Sequence, residues 1–102
     1  MTILWTSLAE ITFQEEIDFI LQKWNTNEAG KFIDLVDEFT KSLSSNPYLG
    51  KISKKGDIRM FVLSEQTTVF YEVFEYKNRI DLQLFWNNSR DTNELDKYFL
   101  GF

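Results

Sequence analysis

The chain predicts an α+β domain: a small antiparallel sheet with an α-helical hairpin packed on one face, in the order β-α-α-β-β-β, closed by a short C-terminal helical segment. Three observations carry this. The first half holds two amphipathic stretches with apolar residues every three or four positions. The second half switches to β-branched and aromatic runs with a period of two. The links inside each half are only a few residues long, so neighbouring elements must run antiparallel. Its 102 residues are read as one domain, 1–102, and 43% hydrophobic content with ten Phe, three Trp and four Tyr lets apolar burial drive folding.

Ile3-Leu4-Trp5 is a short apolar run that reads as a strand. Ser7-Leu8-Ala9-Glu10 then has capping-box spacing, a hydroxyl followed three residues later by a carboxylate. Ala9, Phe13, Ile17, Ile20, Leu21 and Trp24 follow on one helical face, and Asn25-Thr26-Asn27 ends that helix and caps the next. Ala29, Phe32, Ile33, Val36, Phe39 and Leu43 form the apolar face of the second helix. It stops at Ser44-Ser45-Asn46-Pro47, because the residue before proline is pushed out of the helical region.

Residues 58–63, 67–74 and 80–86 read as strands, joined by Ser64-Glu65-Gln66 and by the stretch from Glu75 to Arg79. In the middle strand Val69, Tyr71 and Val73 share one face, and Phe70, Glu72 and Phe74 the other. In the last, Ile80, Leu82, Leu84 and Trp86 alternate with Asp81, Gln83 and Phe85. Glu94 to Phe99 adds a terminal helical piece with Leu95, Tyr98 and Phe99 facing inward.

Composition removes several chemistries. Without cysteine there is no disulfide, zinc-thiolate or thiol nucleophile, and without histidine the usual general base and commonest metal ligand are missing. No cofactor and no metal site is expected. Glu15, Glu16 and Asp18 crowd one helix with no partner cluster and read as a solvated surface. No basic leader and no apolar run of about 20 residues is present, so the chain reads as cytoplasmic and not membrane-bound.

Charge is unevenly placed. The net charge is −5, yet residues 47–63 carry Lys51, Lys54, Lys55 and Arg59 against Asp57 alone. Residues 1–46 hold eight acids against three bases, and residues 64–102 seven against four. The overall acidity opposes non-specific nucleic-acid binding, and direct DNA binding by this chain is not expected. The basic segment concentrates the candidate binding groups.

The ordered set resembles the RelE/ParE toxin superfamily of type II toxin–antitoxin modules. It comprises Ile3-Leu4-Trp5-Thr6, a first helix ending at Trp24, Ala29 and Phe32, Asn46-Pro47 with Gly50-Lys51, and Ile58-Arg59-Met60-Phe61. Val69-Phe70-Tyr71-Glu72-Val73 and the run from Ile80 to Arg90 complete it. The resemblance implies a growth-inhibiting toxin silenced by a cognate antitoxin protein. One branch of the superfamily inhibits DNA gyrase, and the other cleaves messenger RNA on the ribosome. The nuclease branch carries an arginine three residues before the tyrosine of its third strand, where this chain has Thr68. A second arginine falls in the turn after the last strand, where this chain has Asn88 with Arg90 nearby. Asp91 and Glu94 stand where that branch carries cations or a working tyrosine.

The cations available are therefore Arg59 and Arg90 as candidate catalytic residues and Lys51, Lys54 and Lys55 as candidate substrate- or target-binding residues. Each has a plain alternative. Arg59 pairs with an acid such as Glu72, Lys54-Lys55 is a solvated loop, and Arg90 caps or bridges to Asp91 or Glu94. Tyr71 reads as core. The expected function is a toxin acting on a protein target such as gyrase. A ribosome-dependent endoribonuclease and an inactive toxin-fold binding module are the alternatives.

Overall fold

The computed structural model describes residues 1–99. Its strands are β1 (Thr2–Trp5), β2 (Lys51–Ile52), β3 (Ile58–Val62), β4 (Thr67–Phe74) and β5 (Arg79–Asn87), and its helices α1 (Ser7–Lys23) and α2 (Thr26–Ser45). The sheet order is β1-β5-β4-β3-β2. Strands β2 to β5 are antiparallel to their neighbours, whereas β1 joins β5 in parallel, Thr2 opposite Arg79 and Trp5 opposite Leu82. The predicted fold class holds, with β2 as an additional two-residue strand that is too short to leave a periodic signal.

Helix α1 starts one residue earlier than its capping-box spacing implies. Thr6, not Ser7, is the cap: its Oγ1 accepts from the Ala9 N–H at 3.1 Å and donates to the Leu82 carbonyl at 2.8 Å. One hydroxyl thus ends β1, starts α1 and ties both to β5. Asn25 caps α2 as expected, accepting from the Glu28 N–H at 2.9 Å. Asn46 ends it, ahead of Pro47.

The two helices cover one sheet face. Ala9, Ile20, Ala29, Phe32, Val36, Phe39 and Leu43 pack on Val69, Tyr71, Ile80, Leu82 and Phe85. Trp5, Phe13, Phe32 and Phe85 form an aromatic knot with ring centroids 5.1–5.6 Å apart along its tight contacts, a geometry that adds to simple area burial. Leu21, Trp24 and Ile33 are exposed, against the expected helix faces. Thr12 and Glu16 take the inward places instead, completing the spacing Ala9, Thr12, Glu16, Ile20.

The other sheet face has its own apolar group: Ile58, Phe70, Leu84, Trp86, Leu95 and Phe99. Leu95 comes from a 3-10 segment, Thr92–Lys97, whose start is capped by Asp91. Leu84 and Trp86 belong here, not with Ile80 and Leu82. The register explains it: Phe70 faces Leu84 while Tyr71 faces Leu82, so Gln83 is an extra residue bulged out of β5. A one-residue insertion exchanges every later side chain between the two faces. Thr12 secures the region, its Oγ1 accepting from the Phe85 N–H at 3.0 Å while donating to Leu8 O at 2.7 Å.

Candidate functional site

The cations singled out from the sequence fall into two separate places. Arg59 lies on β3 opposite Tyr71 of β4. Its Nη1 donates to the Gly50 carbonyl at 2.8 Å, and its guanidinium lies 4.7 Å from the centre of the Tyr48 ring. Among the described residues it makes no ion pair, so the expected alternative of pairing with Glu72 is not what holds it.

What holds Arg59 is the segment between α2 and β2. The Tyr71 hydroxyl accepts from the Gly50 N–H at 2.7 Å and donates to the Pro47 carbonyl at 3.0 Å. Tyr71 is fully buried, and that burial pushes its pKa up; the Gly50 N–H and the nearby Arg59 charge act in the opposite direction. Gly50 is needed because a Cβ there would sit 2.6 Å from Met60 O and 2.8 Å from the Tyr71 oxygen. Tyr71 is core, as read from the sequence, and it is also a tether. Nothing in the β4 pattern signals this second role, because the bonded partners lie over twenty residues away.

Lys51 opens β2 opposite Met60 and is exposed, as is Lys54; Lys55 is half-buried. Their loop turns on Ser53, whose Oγ donates to Ile58 O at 2.6 Å and accepts from the Lys55 N–H at 3.2 Å. Lys54 borders a shallow cavity of about 300 Å³ on the sheet face away from the helices, with Met60, Thr68, Phe70, Trp86 and Asn88 on its walls.

Thr68 and Asn88, the two positions that the resemblance singled out, meet on this face. Thr68 Oγ1 donates to Asn88 Oδ1 at 2.8 Å, and Asn88 Nδ2 donates to Glu65 O at 3.0 Å. Thr68 is buried. This is a neutral, internally satisfied pair with no charge to place on a phosphate.

Arg90 lies beyond the end of β5. Its Nη2 and Nε both donate to one carboxylate oxygen, Glu94 Oε2, at 2.6 and 3.1 Å, and its guanidinium stacks 4.5 Å from the centre of the Trp86 ring. Glu94 raises its already high pKa, burial opposes this, and Tyr98 adds to it. The bridge to Glu94 is the plain alternative read from the sequence. Arg59, on β3, and Arg90, in the turn after β5, are thus held in unrelated contacts, and β4 lies between those two strands. They do not converge on one point.

Glu16 corrects another expectation. It is 4% exposed rather than solvated, and its carboxylate accepts from the fully buried Thr67 hydroxyl at 2.6 Å. It borders a cavity of about 400 Å³ with Glu15, Asn87, Ser89 and Arg90. Its polarity hid it from a reading based on apolar periodicity, although its spacing was inward. Among the described residues no cluster of carboxylates could hold a metal ion, and no helix is long and apolar enough to cross a membrane.

The family comparison agrees with this architecture. The family model described as the ParE toxin of the type II toxin-antitoxin system, parDE, matches residues 3–92. A solved structure described as "Chromosomal ParDE TA system from P. aeruginosa" superposes with a TM-score of 0.71 at 18% identity, covering 85% of this chain and 95% of that one, a likeness of fold. No curated protein matches the chain. The strands, hairpin and turn described above are thus those of a known toxin fold, and the chain belongs to the ParE toxin family of type II toxin–antitoxin systems.

Proposed function

We propose that this chain arrests growth by binding a protein target such as DNA gyrase, without cleaving RNA, and that a cognate antitoxin protein silences it. The observation that carries the reading is the Thr68–Asn88 hydrogen bond on the sheet face away from the helices. Phosphoryl-transfer catalysis is mostly positioning and charge stabilisation around the phosphate. Here the two positions nearest the expected chemistry satisfy each other, and Arg90 is neutralised by Glu94. A binding inhibitor needs no such set. Membership of the ParE family supports the same direction.

The basic segment supplies recognition in this reading. Arg59, with Lys51, Lys54 and Lys55, contacts a partner as a positioned charge group, not as a set of catalytic residues. The antitoxin in this reading is the second component of the toxin-antitoxin system that the family description names.

Controlled expression of the chain alone, and together with the product of each neighbouring reading frame, tests the proposal. Growth arrest relieved by one neighbour is expected. Arrest that no neighbour relieves counts against silencing by a cognate antitoxin. Absence of arrest from folded protein means an inactive binding module.

A further inference from the structure

Four cations stand close together in one basic stretch of this acidic chain, between residues 47 and 63. Lys31, Lys41, Arg79 and Arg90 each pair with a carboxylate. The four cations between residues 47 and 63 make no ion pair among the described residues, and neither do the isolated Lys23, Lys77 and Lys97; what sets the four apart is that they are neighbours. Beside them stand exposed apolar side chains: Tyr48 is 47% and Ile52 61% exposed. Strand β2 is the last in the sheet, bonded to β3 on one side only. An edge strand offers unpaired backbone groups to a further strand.

The parts are held in place before any partner arrives. Tyr71 and Gly50 fix the segment leading into β2, and Gly50 with Tyr48 fixes Arg59, leaving most of its guanidinium donors uncommitted. Arginine and tyrosine held this way are the residue types that dominate binding energy at protein interfaces.

We propose that the β2 corner docks an acidic, extended segment of a partner protein. The segment adds its backbone to the outer edge of β2. Its carboxylates meet Arg59 on the helix side of the sheet and Lys51 and Lys54 on the other, and its apolar side chains cover Tyr48 and Ile52. Charge complementarity selects an acidic occupant. The exposed apolar side chains of Tyr48 and Ile52, which an extended peptide with apolar residues covers, select a protein over a nucleic acid. This deepens the reading of the chain as a toxin with protein partners and rests on it.

The test uses the full chain, isotope-labelled, and a fluorescent peptide of about ten residues alternating glutamate and valine. Expected are saturable anisotropy changes and amide shifts concentrated between residues 48 and 60. The Lys51→Glu/Lys54→Glu variant, altered only at exposed side chains, is expected to bind about tenfold more weakly with unchanged circular dichroism. The proposal is overturned by no binding, by shifts centred on the helix hairpin, or by equal affinity in the variant. Tighter binding of a single-stranded oligonucleotide than of the peptide overturns it in favour of nucleic acid. Self-association abolished by the same variant overturns it in favour of a second copy. A chain that arrests growth yet ignores the peptide loses this docking site and keeps the toxin reading; one that binds the peptide without arresting growth does the reverse.

Discussion

Replacing Tyr71 with phenylalanine removes one oxygen atom and two hydrogen bonds, and its effect can be worked from the geometry. The Gly50 N–H, on a buried residue, loses its acceptor at 2.7 Å, and the Pro47 carbonyl loses its donor at 3.0 Å. A buried donor left without a partner costs about 1–3 kcal/mol, and a half-exposed carbonyl that water can reach costs less. Tyr71→Phe is therefore expected to lose about 2 kcal/mol, which in a domain of this size lowers Tm by on the order of 10 °C. Gly50→Ala places a methyl group 2.6 Å from a backbone carbonyl that cannot swing away, so it is expected to destabilise by about 1–3 kcal/mol. The two changes disrupt the same contact, and the double variant is expected to lose less than their sum. Equilibrium urea unfolding at neutral pH, followed by tryptophan fluorescence, measures all three. A loss below about 0.5 kcal/mol for Tyr71→Phe would show that solvent replaces the tether and would remove the physical basis for a fixed Arg59.

Two further outcomes follow from the same contacts. Thr12→Val deletes the acceptor of the Phe85 N–H beside the β5 bulge and is expected to cost about 1–3 kcal/mol, read by the same unfolding assay, with faster amide exchange at Phe85. Glu72 has a raised pKa, first through burial and then through the charges of Asp57 and Asp81. A carboxyl whose folded pKa exceeds its unfolded value stabilises the fold fully below the unfolded value and loses that contribution as pH rises through the folded value. Glu72→Gln is thus expected to raise stability at pH 7, with the gain shrinking to nothing in acid, below the ordinary carboxylate range; a pH series of thermal melts checks the sign.

How much of this was legible depends on where polarity and position agree. The stop at Asn46-Pro47, the cap at Asn25 and strand β4 all carry local signals that tertiary structure leaves intact. Strand β5 carries none for its bulge, because both of its faces are buried and apolar residues stand on either side of Gln83. A period-two reading therefore placed Leu84 and Trp86 on the wrong face. In α1 the inward spacing of Thr12 and Glu16 is regular, but polar residue types masked it, while Leu21 and Trp24 looked inward and are not. The basic segment was visible as composition. Its fixation by Tyr71, Gly50 and Tyr48 depends on contacts distant in sequence, which no local pattern encodes. The Thr68–Asn88 bond was half visible, since the resemblance had marked both positions without showing that they meet.

The most direct test of the central claim sets the purified chain against two targets in parallel: supercoiling by DNA gyrase and integrity of ribosome-bound message. The account predicts that the chain inhibits supercoiling in proportion to its concentration and leaves the message whole, with Lys51→Glu/Lys54→Glu weakening the inhibition. Cleaved message that becomes intact with Arg59→Ala or Arg90→Ala, alongside unimpaired supercoiling, would contradict it.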